Sequence, residues 1–243
     1  MTGSSSTVVV TTSWDDGHEL DSRLATLLHD NAIPATFYVA TRNVEMDPAR
    51  RLTPSALREL GEDFEIGGHT LHHLPLTSLA DDDAREEMRA GRAELEDITG
   101  RQVTSFCYPM GAYRPVHTQL AGEVGFTVAR TVRRGRLAMN TALEMATTVN
   151  AYAHLVDGPQ ALRLAVGNPV KAARYFRNWD ELAMCWFDRC LARGGVYHLW
   201  GHSWEVDERG DWDRLARVLR YISARPGVRY ASNGRVPELM GVA

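Results

Sequence analysis

The feature that most constrains the fold is an unbroken β-branched run, Val8 to Thr12, which is soon followed by two adjacent aspartates. Because the run does not alternate with polar residues, it predicts a strand buried on both faces, as in a parallel sheet. Adjacent carboxylates at the end of such a strand are costly unless a metal neutralises them or chemistry uses them. An aspartate can also cap a helix, and Glu19-Leu20 opens a helical pattern. Two aspartates with further ligand-type residues downstream favour a site at Asp15 and Asp16.

The rest of the chain alternates strand patterns with helix patterns. Further strands are predicted at 33–40, 64–67, 103–107, 126–129, near Thr147, and at 196–200 and 228–231. Helices are predicted at 20–31, 54–60, 78–98, 114–124, 160–166, 180–193 and 212–224, and 131–178 is the least regular stretch. This alternation predicts an α/β fold, a distorted parallel (β/α) barrel of about seven βα units with right-handed crossovers. In such a barrel, functional residues gather at the carboxyl ends of the strands.

Composition narrows the class of protein. No linker, repeat or low-complexity tract divides residues 1–243, so we expect a single domain, and 44% hydrophobic residues suit a sizeable core. A net charge of −4 argues against a nucleic-acid binder. No apolar run approaches the ~20 residues that span a bilayer, and residues 1–6 lack the features of a signal peptide. The three cysteines form no CxxC pair. We therefore expect a cytoplasmic protein without a nucleic-acid or membrane partner.

A histidine cluster follows the predicted third strand. His69 and His73 are four residues apart, so on a helical turn they would share a face and reach one ion. His72 would point elsewhere, as a rim or packing residue. With Asp16 the pair makes three protein ligands, which leaves a position open for water, as in catalytic metal sites. The HxxxH spacing alone is a weak signal, since it also arises by chance on surfaces.

These motifs together resemble the polysaccharide deacetylase family, also called the NodB-homology domain or carbohydrate esterase family 4. The resemblance rests on Asp15-Asp16-Gly17 and on the cluster from His69 to His73. The stretch Phe-Cys-Tyr-Pro-Met-Gly at 106–111 is similar to the family's third motif, and the strand ending at His202 is similar to its fifth. The likeness covers roughly residues 7–130 and 178–235, in the order of the family.

The resemblance implies a metal centre and a catalytic base. Asp16, His69 and His73 would hold a divalent metal ion, usually zinc in this family, with cobalt or nickel as possible substitutes. Asp15 would be the general base that takes a proton from the water that the metal activates. These separate roles for the metal ligands and the base agree with general chemistry. A divalent ion lowers the pKa of a bound water molecule towards ~7, and a nearby carboxylate can then complete the deprotonation.

The resemblance also implies the groups that act on the acetamide. A backbone N–H near Met110, in the loop that begins at Pro109, would stabilise the oxyanion together with the metal. His202 would protonate the leaving amine. His198 lies on the same strand face but about 13 Å from His202, away from the carboxyl end, so we interpret it as a hydrogen-bonded core residue.

Two positions depart from the family pattern. Cys107 stands where the family has an arginine that orients the catalytic aspartate, and a thiol cannot supply that charge. Either another group steadies Asp15 or the pKa of Asp15 is set differently. The fourth motif, normally Asp-Trp, has only Asn178-Trp179 as a candidate. Trp179 would either line the acetyl pocket or pack in the core at the start of a helix.

The resemblance implies removal of the N-acetyl group from an N-acetylated amino sugar or glycan, with release of acetate. One alternative is hydrolysis of a cyclic amide on the same fold, as in allantoinase-like relatives that can lack this metal dependence. The intact set of Asp16, His69 and His73 argues against it. Another alternative is a catalytically silent sugar-binding protein, which Cys107 and Asn178 keep open.

Overall fold

The structure is a computed structural model, and it describes residues 7–242. Residues 1–6, on which the prediction about a signal peptide rests, and residue 243 lie outside the described residues. Within the described part, no helix is both long enough and apolar enough to cross a bilayer.

A parallel sheet forms the centre of the molecule. Its strands are β1 (Val8–Asp16), β2 (Ala35–Val39), β3 (Glu65–Gly68), β4 (Ser105–Cys107), β5 (Val128–Arg130), β6 (Val149–Asn150), β7 (Gly195–Gly201) and β8 (Val228–Tyr230). They lie in the order β5-β4-β3-β2-β1-β7-β6, and β8 pairs with the start of β1. All nine residues of β1 are buried, as its unbroken apolar pattern predicts.

The sheet curves into a distorted barrel, which confirms the predicted fold class. Residues 145–150 connect its two edges: Met145 bridges to Arg130 of β5, and Val149–Asn150 pair with β7. The carboxyl ends of the strands, here called the mouth, include Asp16 and the end of β7. The opposite end, where β1 and β7 begin, is here called the floor.

Ten α-helices connect or follow the strands in the described residues. They are α1 (Asp21–Asp30), α2 (Pro54–Asp63), α3 (Asp81–Thr99), α4 (Pro115–Val124), α5 (Gly158–Leu164), α6 (Pro169–Arg177), α7 (Trp179–Arg193), α8 (Ser203–Glu208), α9 (Trp212–Ile222) and α10 (Val236–Met240). Local capping explains the clearest starts, since the Thr53 hydroxyl accepts from the Ala56 N–H ahead of α2.

The sequence interpretation omitted α6, α8 and α10. The first of these has a readable signal: the side chain of Asn168 caps it, and Pro169 occupies its first position. The other two are only six and five residues long. Because so short a segment contains less than two helical turns, its apolar periodicity is hard to detect.

Candidate active site

The two aspartates end the central strand β1 at the mouth. Both are buried, and both line the main cleft of the molecule. Successive side chains of a regular strand point to opposite faces, but Asp16 has a positive φ of 85°. This left-handed residue breaks the alternation and lets both carboxylates face one cleft. Gly17 follows with φ of 76°, at a point where a Cβ would lie 2.6 Å from Val39.

Asp16, His69 and His73 converge as predicted, although not on a helical turn. Residues 69–73 form an irregular loop after β3, with positive φ at Thr70 and His73. The prediction of a shared helical face was therefore wrong. The two imidazole centroids nevertheless lie 4.7 Å apart. From Asp16 Oδ1 the distances are 3.8 Å to His69 Nε2 and 3.4 Å to His73 Nε2.

The surroundings of this trio fit a metal ion. His69 Nδ1 donates to the carbonyl of Cys107 at 2.8 Å, and His73 Nδ1 lies 2.6 Å from Glu45 Oε2. These contacts leave the two Nε2 atoms free to face Asp16, the arrangement usual around ligating histidines. Asp16 Oδ1 is buried and has no hydrogen-bond partner within the described residues. Burial, with His73 acting in the same direction, lowers the pKa of His69 to about 4, so its imidazole is neutral and able to ligate.

An arginine that the sequence interpretation missed holds Asp15. Arg130, the last residue of β5, is buried, and its Nη2 donates to both carboxylate oxygens of Asp15. Its guanidinium lies 4.3 Å from the ring centroid of Trp200. Burial favours the neutral carboxyl, but Arg130 foremost, with His69 and His202, holds the pKa of Asp15 below its ordinary value. Asp15 is therefore an ionised base at neutral pH.

The register of the sheet explains how Asp15 has a charge partner although position 107 is a cysteine. Cys107 on β4 and Arg130 on β5 are direct partners across the two strands. The strand next to Cys107 thus supplies an arginine to Asp15 at the same level of the barrel. Cys107 Sγ lies 3.8 Å from Asp15 Oδ2. Burial raises the pKa of the Cys107 thiol well above its usual value, so the thiol stays protonated.

His202 lies opposite the aspartates, directly after β7. Its Nε2 is 4.0 Å from Asp15 Oδ2 and 3.9 Å from Asp16 Oδ2, and its Nδ1 is 2.6 Å from Glu205 Oε2 on α8. Burial opposes the charged form, but Asp16, Glu205 and Asp15 outweigh it and raise the pKa of His202 to about 9. The imidazole is therefore protonated at neutral pH, as a general acid must be. Glu205 was also missed, because the six-residue helix α8 that places it beside His202 is too short to show a readable periodicity.

The remaining predicted residues divide between the cleft and the core. Met110, with φ of 55° and 55% exposure, lines the cleft, and Pro109 is buried behind it. Trp179 lies outside the cleft, which corrects the pocket interpretation: it is 1% exposed at the start of α7, and its Nε1 donates to Asp211. His198 is a core residue whose Nε2 lies 2.8 Å from the Ser13 hydroxyl.

The cleft itself has a volume of about 690 Å³, which lies within the usual range of small-molecule sites. Aromatic side chains of the second half of the chain form part of its wall, including Tyr152, Trp200 and Trp204. Trp204 Nε1 donates to Asp16 Oδ2 at 2.9 Å, so this indole also fixes the carboxylate. His72 points away and lies 2.6 Å from Glu87 Oε1, consistent with the predicted rim position.

Comparison with known proteins identifies the family. The polysaccharide deacetylase family model matches residues 2–129, more than half of the chain. The chain belongs to the polysaccharide deacetylase family. This is the family that the sequence motifs indicate. Among proteins with curated functions, no match was found.

Several solved structures share the fold. A polysaccharide deacetylase from Mycobacterium smegmatis, itself described as putative, has a TM-score of 0.73 at 17% identity, over 99% of this chain and 92% of that one. The chitin deacetylase of Colletotrichum lindemuthianum has a TM-score of 0.59 at 20% identity, over 97% and 88%. A Streptococcus pyogenes deacetylase in complex with acetate has a TM-score of 0.52 at 23% identity, over 56% of this chain and 62% of that chain. At these identities the likeness shows the fold.

Proposed function

We propose that this protein is a metal-dependent hydrolase that removes the N-acetyl group from an N-acetylated amino sugar or glycan and releases acetate. The observation that carries the proposal is the buried trio of Asp16, His69 and His73, in which Asp16 Oδ1 has no hydrogen-bond partner among residues 7–242. A buried carboxylate oxygen without a partner is costly unless a cation satisfies it. The structural relatives supply the chemical class, since their descriptions name deacetylases of chitin and of other polysaccharides.

Asp16, His69 and His73 would hold a divalent ion, and zinc suits a set of two imidazoles and one carboxylate, with cobalt or nickel as substitutes. When bound, such an ion supplies Lewis-acid activation of water and of the acetamide carbonyl. Glu45 fixes the ring of His73, and Trp204 fixes the carboxylate of Asp16. The ligands are thus oriented by their neighbours before an ion arrives.

The proton path runs between Asp15 and His202. Asp15 is ionised and takes the proton of the attacking water. His202 Nε2, on the opposite side of the cleft, gives a proton to the nitrogen that leaves as an amine. Arg130 keeps Asp15 ionised and in place, and Glu205 holds Nδ1 of His202 so that Nε2 faces the cleft. Met110 stands at the cleft wall, where its backbone N–H would approach the developing oxyanion.

Acetate release tests the proposal. The purified protein is incubated with N-acetylglucosamine oligomers and with nucleotide-linked N-acetyl sugars, before chelation, after chelation, and after zinc is added back. We expect release of acetate that chelation abolishes and zinc restores. Activity that survives removal of the metal would exclude the metal mechanism. Absence of acetate from every N-acetyl sugar would favour the cyclic-amide reaction or the silent sugar-binding protein. A cytoplasmic location stays a prediction.

A further inference from the structure

A second recess lies at the floor, beside Gly195 at the start of β7. This arginine groove has a volume of about 520 Å³. Four arginines from separate parts of the chain line it: Arg136 in the segment after β5, Arg163 on α5, and Arg189 and Arg193 on α7. No Asp or Glu is among its lining residues in the part of the chain that the structure describes.

The four arginines also lack counter-charges within the described part of the chain. None of them lies within 4.0 Å of a carboxylate oxygen among residues 7–242, whereas Arg130 and Arg134 at the mouth each have an aspartate partner. The chain has more acidic than basic residues, 31 against 27. A local excess of four positive charges is therefore not a consequence of overall composition. Like charges around one recess repel each other, and a bound anion would remove that cost.

Part of the groove is held in a fixed arrangement. Arg163 Nη2 donates to the carbonyl of Gly135 at 3.1 Å, and its guanidinium lies 5.1 Å from the centroid of the Trp186 indole. Arg189 lies 6.0 Å from the same indole, which is buried and donates from Nε1 to Gln160 at 3.1 Å. Because the indole and the carbonyl position these guanidinium groups, less conformational entropy is lost when an anion binds.

We propose that the arginine groove is a binding site for a phosphate-bearing anion. Guanidinium groups bind phosphate oxygens through paired hydrogen bonds, and several arginines around one recess suit a ligand with more than one phosphate charge. The groove lies at the opposite end of β7 from His202, roughly 20 Å away at the rise of a strand. It is thus separate from the proposed deacetylation site, and binding there would be a property additional to the proposed function.

The phosphate could belong to a soluble molecule or to a lipid headgroup. Leu162 and Val166, on either side of Arg163 along α5 and its end, are 58% and 87% exposed. Residues 158–179 carry four basic residues and no acidic one. Exposed apolar side chains beside basic ones are typical of segments that rest on anionic membranes. Binding to a lipid surface would also revise the expectation of no membrane partner.

Titration of the full-length protein with pyrophosphate tests the site by calorimetry at physiological salt. The test variant is Arg136→Gln with Arg193→Gln, since both side chains are exposed. The matched control is Arg101→Gln with Arg220→Gln, which removes the same charge from exposed positions outside the groove. We expect saturable binding by the wild-type protein, at least a tenfold loss in the test variant, and a change below twofold in the control. If the double variant fails to fold, the single variant Arg136→Gln replaces it.

Vesicles separate the two sources of phosphate. Co-sedimentation is measured with phosphatidylglycerol mixed into phosphatidylcholine and with phosphatidylcholine alone. Binding to the anionic vesicles that pyrophosphate competes away supports a lipid headgroup, and binding of pyrophosphate without vesicle binding supports a soluble ligand. No saturable binding of either probe, or equal losses in the test and control variants, overturns the proposal. Acetate release should be unchanged in the test variant, so failure here is distinguishable from failure of the proposed deacetylation.

Discussion

The first half of the chain brings together the proposed metal ligands and the proposed base, at strand ends and in the loop after β3. The second half supplies the proposed acid, His202, and the residues that contact the acid and the base. Asp15, Asp16, His69 and His73 all lie within residues 2–129, the segment that the family model matches. The groups that hold the base and the acid come later in the chain. Arg130 ends β5 and contacts Asp15, and Glu205 lies on α8 and contacts His202.

This difference reflects what each role demands. A metal ligand or a base must present one atom type at one place, so its residue type and its strand are both restricted. A charged side chain that stabilises the base has only to come within contact distance of it, so different parts of the chain can supply that side chain. Cys107 and Arg130 illustrate this, because they are partners in register on adjacent strands and the arginine approaches Asp15 from one strand further along.

The largest effect is expected from the proposed metal ligands in the first half of the chain. Replacing His69 with Ala removes a buried ligand, so we expect loss of bound zinc and a fall in acetate release of about 10³-fold or more. Metal content after dialysis and the rate of acetate release are measured together. His72→Ala is the matched control, because His72 lies outside the cleft and pairs with Glu87. Full activity of the His69 variant would contradict the assignment of the centre.

Replacing His202, the proposed acid in the second half of the chain, should lower turnover without loss of bound metal. For His202→Ala we expect a loss of about 10² to 10⁴ in turnover, the usual contribution of a general acid. Zinc content should stay at the wild-type level, because His202 lies nearly 4 Å from the carboxylates and is not among the ligand trio. Loss of the metal in this variant would show that His202 ligates it, and the comparison between the two halves would then be wrong.

Arg130→Met tests whether Arg130 holds Asp15 in place and keeps it ionised. Removing one partner of a buried ion pair is expected to lower the free energy of unfolding by about 3–5 kcal/mol. Arg130 lowers the pKa of Asp15, so without it that pKa rises, and the acid limb of the pH–rate profile should move to higher pH. Chemical denaturation and the pH dependence of acetate release measure the two effects. Arg133→Met, at a more exposed position, should leave both unchanged.

The sequence predicts most of the fold because its signals are local. The buried pattern of β1, the cap at Thr53 and the glycine after α3 each depend on a few neighbouring residues. The barrel then follows from the alternation of strands and helices. The short helix α8 lacked such a signal, and its omission concealed the position of Glu205.

The convergence of Asp16, His69 and His73 was predictable because the motifs themselves contain these residues. Arg130 was not found because the chain has many arginines and only the register of β4 and β5 shows which one reaches Asp15. Its position just after a predicted strand, at the mouth, was the available signal. The sequence left two positions open for Trp179, because a tryptophan at a helix start can point to the core or to the cleft, and the structure places it in the core. His69 and His73 converge because they lie in a loop with two left-handed residues, which helical spacing could not predict.

Glu205→Gln should produce a smaller effect than the loss of His202 or Arg130. Glutamine keeps a hydrogen-bond acceptor near Nδ1 but removes a negative charge that helps to raise the pKa of His202. The basic limb of the pH–rate profile should therefore move to lower pH, while the rate near pH 6 changes little, since His202 stays protonated there. A raised histidine pKa stabilises the fold below pH 6.5, and this contribution is lost as the pH rises through about 9. The variant should consequently show a smaller loss of stability across that window.

The smallest effect is expected from Cys107→Ser, although Cys107 occupies the position of the family's arginine. Because burial keeps the thiol protonated, the substitution removes no charge from the site, and Arg130 still pairs with Asp15. Acetate release should stay within about twofold of the wild-type rate, with an unchanged pH profile. Arg130→Met in the same assay provides the contrast. A large loss in the serine variant with zinc retained would mean that the thiol itself acts on Asp15, and the explanation by register would have to be abandoned.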